Sequence, residues 1–171
     1  MDAEWQETFR NRMRGFKARR PLQEGDVALS VKLRVVSGCF HREHSPCAYQ
    51  AIDSHLNTSA ADLELVEHES GPELLVYVAV ATAGLTLAKS VMDLITAVIK
   101  ARSEGVKKGD RPNDPVELIV RCVEDGTGFH EEIVLRIGHS DPVDSKVIER
   151  QIAQALRKLH KQESSSTEDS W

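Results

Sequence analysis

A chain of 171 residues, 40% hydrophobic and 29% charged, is long enough for one sizeable core and short for two. Its formal net charge of −5 is unevenly placed: the first twenty residues carry six basic side chains against three acidic ones. The acidic remainder excludes broad nucleic-acid binding by the body of the protein. Three cysteines, Cys39, Cys47 and Cys122, are odd in number and fit a reducing compartment better than a disulfide scaffold. No apolar leader interrupts the alternating charges of the first twenty residues, so the expected location is the cytoplasm.

The first expected element is an amphipathic helix over 3–18, because Trp5, Phe9, Met13 and Phe16 recur at spacings of four, four and three. Arg10, Arg12, Arg14, Lys17, Arg19 and Arg20 make it basic. Pro21 and Gly25 break the chain, which marks 1–24 as a basic arm. A strand over 27–36 follows, with Val27, Leu29, Val31, Leu33 and Val35 on one face and Ser30, Lys32 and Arg34 on the other. After a loop rich in histidine and cysteine, Ser45-Pro46 supplies a capping hydroxyl and a first-turn proline. They open a helix over 46–56 with Ala48, Ile52 and Leu56 inward. A turn at 57–60 leads to a short strand over 62–67 carrying Leu63 and Leu65.

Between positions 74 and 99 the only charges are Lys89 and Asp93. Read as one long helix, this segment has two apolar stripes, one through Leu74, Val78, Leu85, Met92, Ile95 and Ile99 and another through Val76, Val80, Ala83, Leu87, Leu94 and Val98. The uninterrupted run over 74–88 is 15 residues, about 22 Å of helix at ~1.5 Å per residue, too short for a hydrocarbon core of roughly 30 Å. A helix apolar on two sides has to bury both. Its own domain can cover both, or a second copy can take one. Gly84 and Ala88 are small and one turn apart and favour a homo-oligomer seam of Val76, Val80, Ala83, Gly84, Leu87, Ala88, Leu94 and Val98.

A basic loop over 105–114 precedes a strand over 116–124. Asp125-Gly126 signals a hairpin, and a strand over 131–137 turns Ile133, Leu135 and Ile137 inward. Asp141-Pro142 and Asp144 start a last helix with Ile148, Ile152, Ala155 and Leu159 as its stripe. The polar residues 162–171 read as a disordered tail. The order β-α-β-α-β-β-α over 25–161 implies a single α/β (α+β) domain, a four-stranded mixed sheet with helices on its faces and a long apolar second helix.

Two groups of residues suggest chemistry. Cys39, His41, His44 and Cys47 offer the soft and borderline ligands that zinc takes, although Cys39 and His41 are close in sequence for joint chelation. A polar loop without metal is the competing reading, and no cofactor is implied. Cys47, in the first turn of its helix, is placed for thiolate chemistry through the helix dipole and open N–H groups. It is equally a small buried apolar side chain. The remaining histidines, among them His55, His68, His130 and His139, read as solvated or structural.

The element order resembles the thioredoxin fold, with Pro46-Cys47 at the start of the first helix, Asp114-Pro115 before the third strand, and Gly138 before the terminal helix. The motif here is His44-Ser-Pro-Cys47 where that family has two cysteines. The resemblance implies a thiol redox protein acting through Cys47. Pro72-Glu73, the small-residue-rich apolar run ending in Lys100 and Arg102, the strand pair around Asp125-Gly126 and the terminal helix resemble bacterial effector-associated constant components. That implies an accessory or assembly role beside an effector protein, without catalytic residues. The leading expectation is therefore a non-enzymatic interaction domain that forms a homo-oligomer and binds no specific nucleic acid. A peripheral membrane protein using Trp5, Phe9, Arg10, Arg12, Arg14 and Phe16 of the arm is a third reading.

Overall fold

The computed structural model describes residues 2–20, 25–36, 38–58, 63–81, 84–86, 89–110, 114–123 and 129–166. The chain runs α1 (Asp2–Arg19), β1 (Asp26–Val35), α2 (Pro46–Thr58), β2 (Leu63–His68), β3 (Gly71–Ala81), β4 (Gly84–Thr86), α3 (Lys89–Lys107), β5 (Val116–Val123), β6 (Phe129–Ile137) and α4 (Ser145–Ser166). The strands form one sheet in the order β2-β3-β1-β5-β6, and the three-residue β4 pairs with the far end of β3.

This corrects the mixed four-stranded sheet. Every hydrogen-bonded strand pair is antiparallel. The helical connections through α2 and α3 do return the chain in the parallel direction, but each skips a place. β3 fills the gap between β1 and β2, and β1 fills the gap between β3 and β5. Each intervening strand runs the other way. The parallel neighbours of a thioredoxin-like sheet are therefore missing.

The second correction concerns the apolar run, which is not one helix. It folds as β3, β4 and then α3. Leu74, Val76 and Val78 face the helical layer, while Leu75 lies among the residues under α1. A strand buried on both faces is apolar at every position, so it satisfies a helical period as readily as its own. The content of β-branched and aromatic residues, Val76-Tyr77-Val78 with Val80, decides for the strand. Only the last part of the segment is helical, and there Val91, Leu94, Ile95 and Val98 enter the core.

One face of the sheet packs on α2, α3 and α4 and forms the main core, with Leu33, Ile52, Leu74, Ile95, Leu118 and Ile148 almost wholly buried. The other face is covered by α1 through Phe9, Met13 and Phe16, which meet Ala28 and Leu75. Ile133 does not turn inward as its alternation implies. A register shift in the β5–β6 pairing beside Leu118/Ile119 brings Ile119 opposite Ile133, and Ile133 is left 51% exposed while Val134 and Leu135 pack on the core. The terminal helix starts at Ser145, where Asp144 Oδ1 accepts from Lys146 N at 2.9 Å. It continues to Ser166, so 162–166 are helical where a disordered tail was expected, and 167–171 lie outside the described residues.

Gly71, at the β2–β3 turn, has φ +140°, and an added Cβ would stand 1.9 Å from the Leu33 carbonyl oxygen. Gly109 has φ +105° but open space around it. Gly71→Ala should therefore lower unfolding free energy in urea by more than about 2 kcal/mol, combining backbone strain with a clash. Gly109→Ala should cost only about 1 kcal/mol. Equal losses would mean that β1 does not approach the turn this closely.

Candidate functional site

Alternation along the strands sends polar side chains to the α1 face. β1 contributes Ser30, Lys32 and Arg34, β3 contributes Glu73, β5 contributes Glu117 and Arg121, and β2 ends in His68. Across the sheet Lys32 lies opposite Glu73 on β3, while Ser30 and Glu131 both lie opposite Arg121. These positions would be an ordinary wet face if nothing covered them. Instead α1 lies over the central ones, and Ser30, Lys32, Glu73, Glu117 and Arg121 are all buried.

The two ends of α1 are fixed differently. At its C-terminal end Phe16 stacks on Tyr77 with ring centroids 4.8 Å apart, the Tyr77 hydroxyl donates to Arg20 O at 2.5 Å, and Arg19 pairs with Glu64 at 2.7 Å. Near its N-terminus, Trp5 and Phe9 meet Phe129 edge-on at 5.0 and 5.6 Å. Trp5, Thr8, Phe9 and Arg12, at helical spacing on one face, roof a cavity of about 490 Å³. That volume falls in the range of small-ligand pockets.

Glu73 sits on the cavity floor with 1% exposure. Its Oε1 accepts from Ser30 Oγ at 3.1 Å and its Oε2 lies 2.9 Å from His68 Nε2 and 3.6 Å from Arg121 Nη1. Arg12 Nη1 lies 3.2 Å from His68 Nε2 and 3.4 Å from its Nδ1, so the ring stands between Arg12 and Glu73. Burial works against the Glu73 carboxylate. The His68 hydrogen bond and the charges of His68, Arg121 and Lys32 together outweigh it and hold the group below its ordinary range. Arg121 also donates through Nε to Glu131 at 2.7 Å and lies 4.8 Å over the Trp5 ring. Arg34 reaches Glu117 at 2.7 Å, and Arg136 binds the other oxygen of the same carboxylate.

Lys32 is the odd member. It is 7% exposed and lines the cavity, and no hydrogen bond or ion pair reaches its ammonium among the described residues. Burial lowers its pKa to about 8; Glu73 opposes the shift, and Arg121, Arg34 and Arg12 add to it. Within the cavity lining four cations, Arg12, Lys32, Arg34 and Arg121, face two carboxylates, Glu73 and Glu131. The chamber has a surplus of positive charge inside an acidic protein, and anions are what such a chamber takes.

Of the seam expected from the sequence, the described residues do not form one helix face. Val76, Leu94 and Val98 are core residues with 0% exposure, Val80 and Gly84 sit in paired strands β3 and β4, and Ala83, Leu87 and Ala88 lie outside the described residues. Among the arm residues, Trp5, Phe9 and Arg12 roof the chamber and Phe16 anchors the helix. Arg10 is half-buried, and Arg14 is exposed on Asn11 Oδ1 at 3.0 Å. Cys47 is half-buried at the start of α2, where Cys47 N and Ala48 N donate to the buried Asp110 carboxylate at 3.4 and 3.0 Å. The anion at that helix start is a carboxylate, and the N–H groups proposed to support a thiolate are occupied. Cys39, His41 and His44 do come together, without Cys47. Sequence reasoning missed His68, Glu73 and Arg121; the alternating Ser30-Lys32-Arg34 face was visible, but its cover was not.

Among the described residues no helix is long and apolar enough to cross a membrane. Comparison with protein-family models, curated proteins and solved structures finds no match to this chain. The resemblance to effector-associated components thus rests on sequence pattern alone.

Removing the Glu73 charge takes a buried anion away from His68, Arg121 and Lys32. Glu73→Gln should lower unfolding free energy by about 3–5 kcal/mol, measured in urea at pH 7, because breaking a buried pair leaves uncompensated charge. A loss below about 1 kcal/mol would show that water reaches these cations freely.

Proposed function

We propose that this protein is a ligand-binding domain that takes a small anion in the chamber between α1 and the sheet. The observation that carries the reading is Lys32, a residue only 7% exposed that lines a cavity of about 490 Å³ and makes no hydrogen bond or ion pair among the described residues. A buried charge costs several kcal/mol unless paired. A phosphate or carboxylate group held by Lys32 and Arg12 would supply the missing partner and make charge-assisted hydrogen bonds to both. Trp5 and Phe9 on the roof provide apolar surface for the remainder of such a molecule.

Calorimetric titration at pH 7 with inorganic phosphate, a nucleoside monophosphate and a dicarboxylate tests it. One of these should bind saturably at one site per chain. Lys32→Met and Arg12→Met should each weaken binding tenfold or more, the loss of one hydrogen bond to a charged group. Lys32→Met should also raise the urea midpoint of the unliganded protein, since the cost of burying the ammonium outweighs its attraction to Glu73. Absence of saturable binding by all three anions would contradict the reading.

The pH dependence follows from the same group. Only the protonated amine attracts an anion, so affinity should fall as pH rises through about 8, by about tenfold per unit once the amine is neutral. The folded chain releases this proton before the unfolded chain does. The Lys32 contribution to stability therefore improves between pH of about 8 and its ordinary 10.5. Lys32→Met should flatten both profiles over that window, and unchanged profiles in the variant would remove Lys32 from the account.

A further inference from the structure

The loop between β1 and α2 carries a second group of reactive side chains, remote in role from the chamber. Phe40 anchors it: the ring is wholly buried, Phe40 N donates to Glu69 O at 2.7 Å, and the Tyr49 hydroxyl donates to Phe40 O at 2.9 Å. His44 N and Ser45 N both donate to His41 O, at 3.2 and 2.9 Å. This turn sets residues three apart on one side, and the His41 and His44 rings lie 4.5 Å apart. Arg42 leaves in another direction and is gripped by Asp53 and Glu67 at 2.5–2.8 Å, which fixes the loop from behind.

One ligand atom each from Cys39, His41 and His44 lies within 4.8 Å of the others. Cys39 Sγ is also 3.4 Å from Glu69 Oε1. We propose that Cys39, His41 and His44, completed by the Glu69 carboxylate, form a zinc site that ties this loop to the β2–β3 turn.

The donor set is one thiolate, two imidazoles and one carboxylate, all of which zinc accepts, and four is the number a closed structural site needs. The two anionic ligands balance the charge of the ion, so the occupied site is neutral overall. Tetrahedral zinc at its usual ligand distances places neighbouring donors roughly 3.3–3.6 Å apart. The Cys39–Glu69 separation already matches; among Cys39, His41 and His44 the donors have about 1 Å to close, and Glu69, outside that group, swings in through its exposed side chain. His44 is exposed and His41 only half-buried, so rotation of their rings out of the present stack meets little packing. His41 Nδ1 accepts from Glu43 N at 3.2 Å, and coordination replaces or re-forms that bond. The thiol proton, now shared with Glu69, leaves to solvent when the sulfur binds. Cys47, expected by sequence to join the set, stands apart on α2.

Titration of the full-length chain with Co²⁺, followed by displacement with Zn²⁺, tests the site. The expected result is one equivalent of cobalt with the intense visible bands of a tetrahedral ion and a thiolate-to-cobalt charge-transfer band, all lost on adding zinc. Cys39→Ser should abolish the charge-transfer band. His41→Ala and His44→Ala should each weaken cobalt binding tenfold or more, Glu69→Gln by about tenfold, and Cys47→Ser should leave the spectrum unchanged. Far-UV circular dichroism checks that the variants keep the fold, and the wild-type spectrum alone already decides whether a thiolate is bound. Weak octahedral-type cobalt spectra, no saturation at one equivalent, or a charge-transfer band that survives Cys39→Ser and disappears in Cys47→Ser would each overturn the proposal.

Discussion

The burial of the Glu73 carboxylate among Ser30, His68, Arg121 and Lys32 constrains more of this molecule than any single apolar contact. A buried ion is costly unless charges and hydrogen bonds compensate it. The partners come from β1, β2 and β5, while α1 brings Arg12 to His68. Strand order, strand direction and the position of α1 all have to be right before the charge is satisfied. The cluster is thus better understood as a device that specifies one arrangement than as a source of stability. Hydrophobic burial on the opposite face supplies the driving force.

The same burial explains the imbalance that defines the chamber. Glu73 answers His68 and Arg121 directly, and Lys32 is left with attraction at a distance and repulsion from three guanidinium groups. Nothing about folding demands a lysine there. A methionine of similar length would fill the space without a desolvation cost. A residue that is unfavourable for the free protein and surrounds an open volume is most simply understood through what enters that volume.

Much of the fold was legible wherever one face was polar. The alternation of β1 and β5, the Ser45-Pro46 helix start and the α4 stripe each carried their own period, and the elements lie close to where those patterns put them. The failure came where the pattern carried no information. Position after position in Leu74-Leu75-Val76-Tyr77-Val78 is apolar because β3 is covered by α1 on one side and by the helical layer on the other. A run without polar punctuation fits both periods, and length alone then argued for a helix. The site was lost with it. Glu73 looked like a helix-start residue, and His68 looked like one of several scattered histidines. Only the three-dimensional cover over Ser30, Lys32 and Arg34 turns a wet strand face into a chamber. At the loop the opposite happened: Cys39 and His41 looked too close in sequence, and a turn centred on the His41 carbonyl brought the donors together anyway.

The central claim is that α1 covers this face of the sheet and leaves Lys32 largely buried among cations at the cavity. The most direct measurement is the pKa of that amine itself, from the ¹³Cε chemical shift of Lys32 followed by NMR against pH and assigned through Lys32→Met. The account requires titration near 8, moving upward once a bound anion supplies the missing counter-charge. An amine titrating near its ordinary 10.5 would mean that neither burial under α1 nor the neighbouring guanidinium groups act on it, and that the chamber is not the protein's binding site.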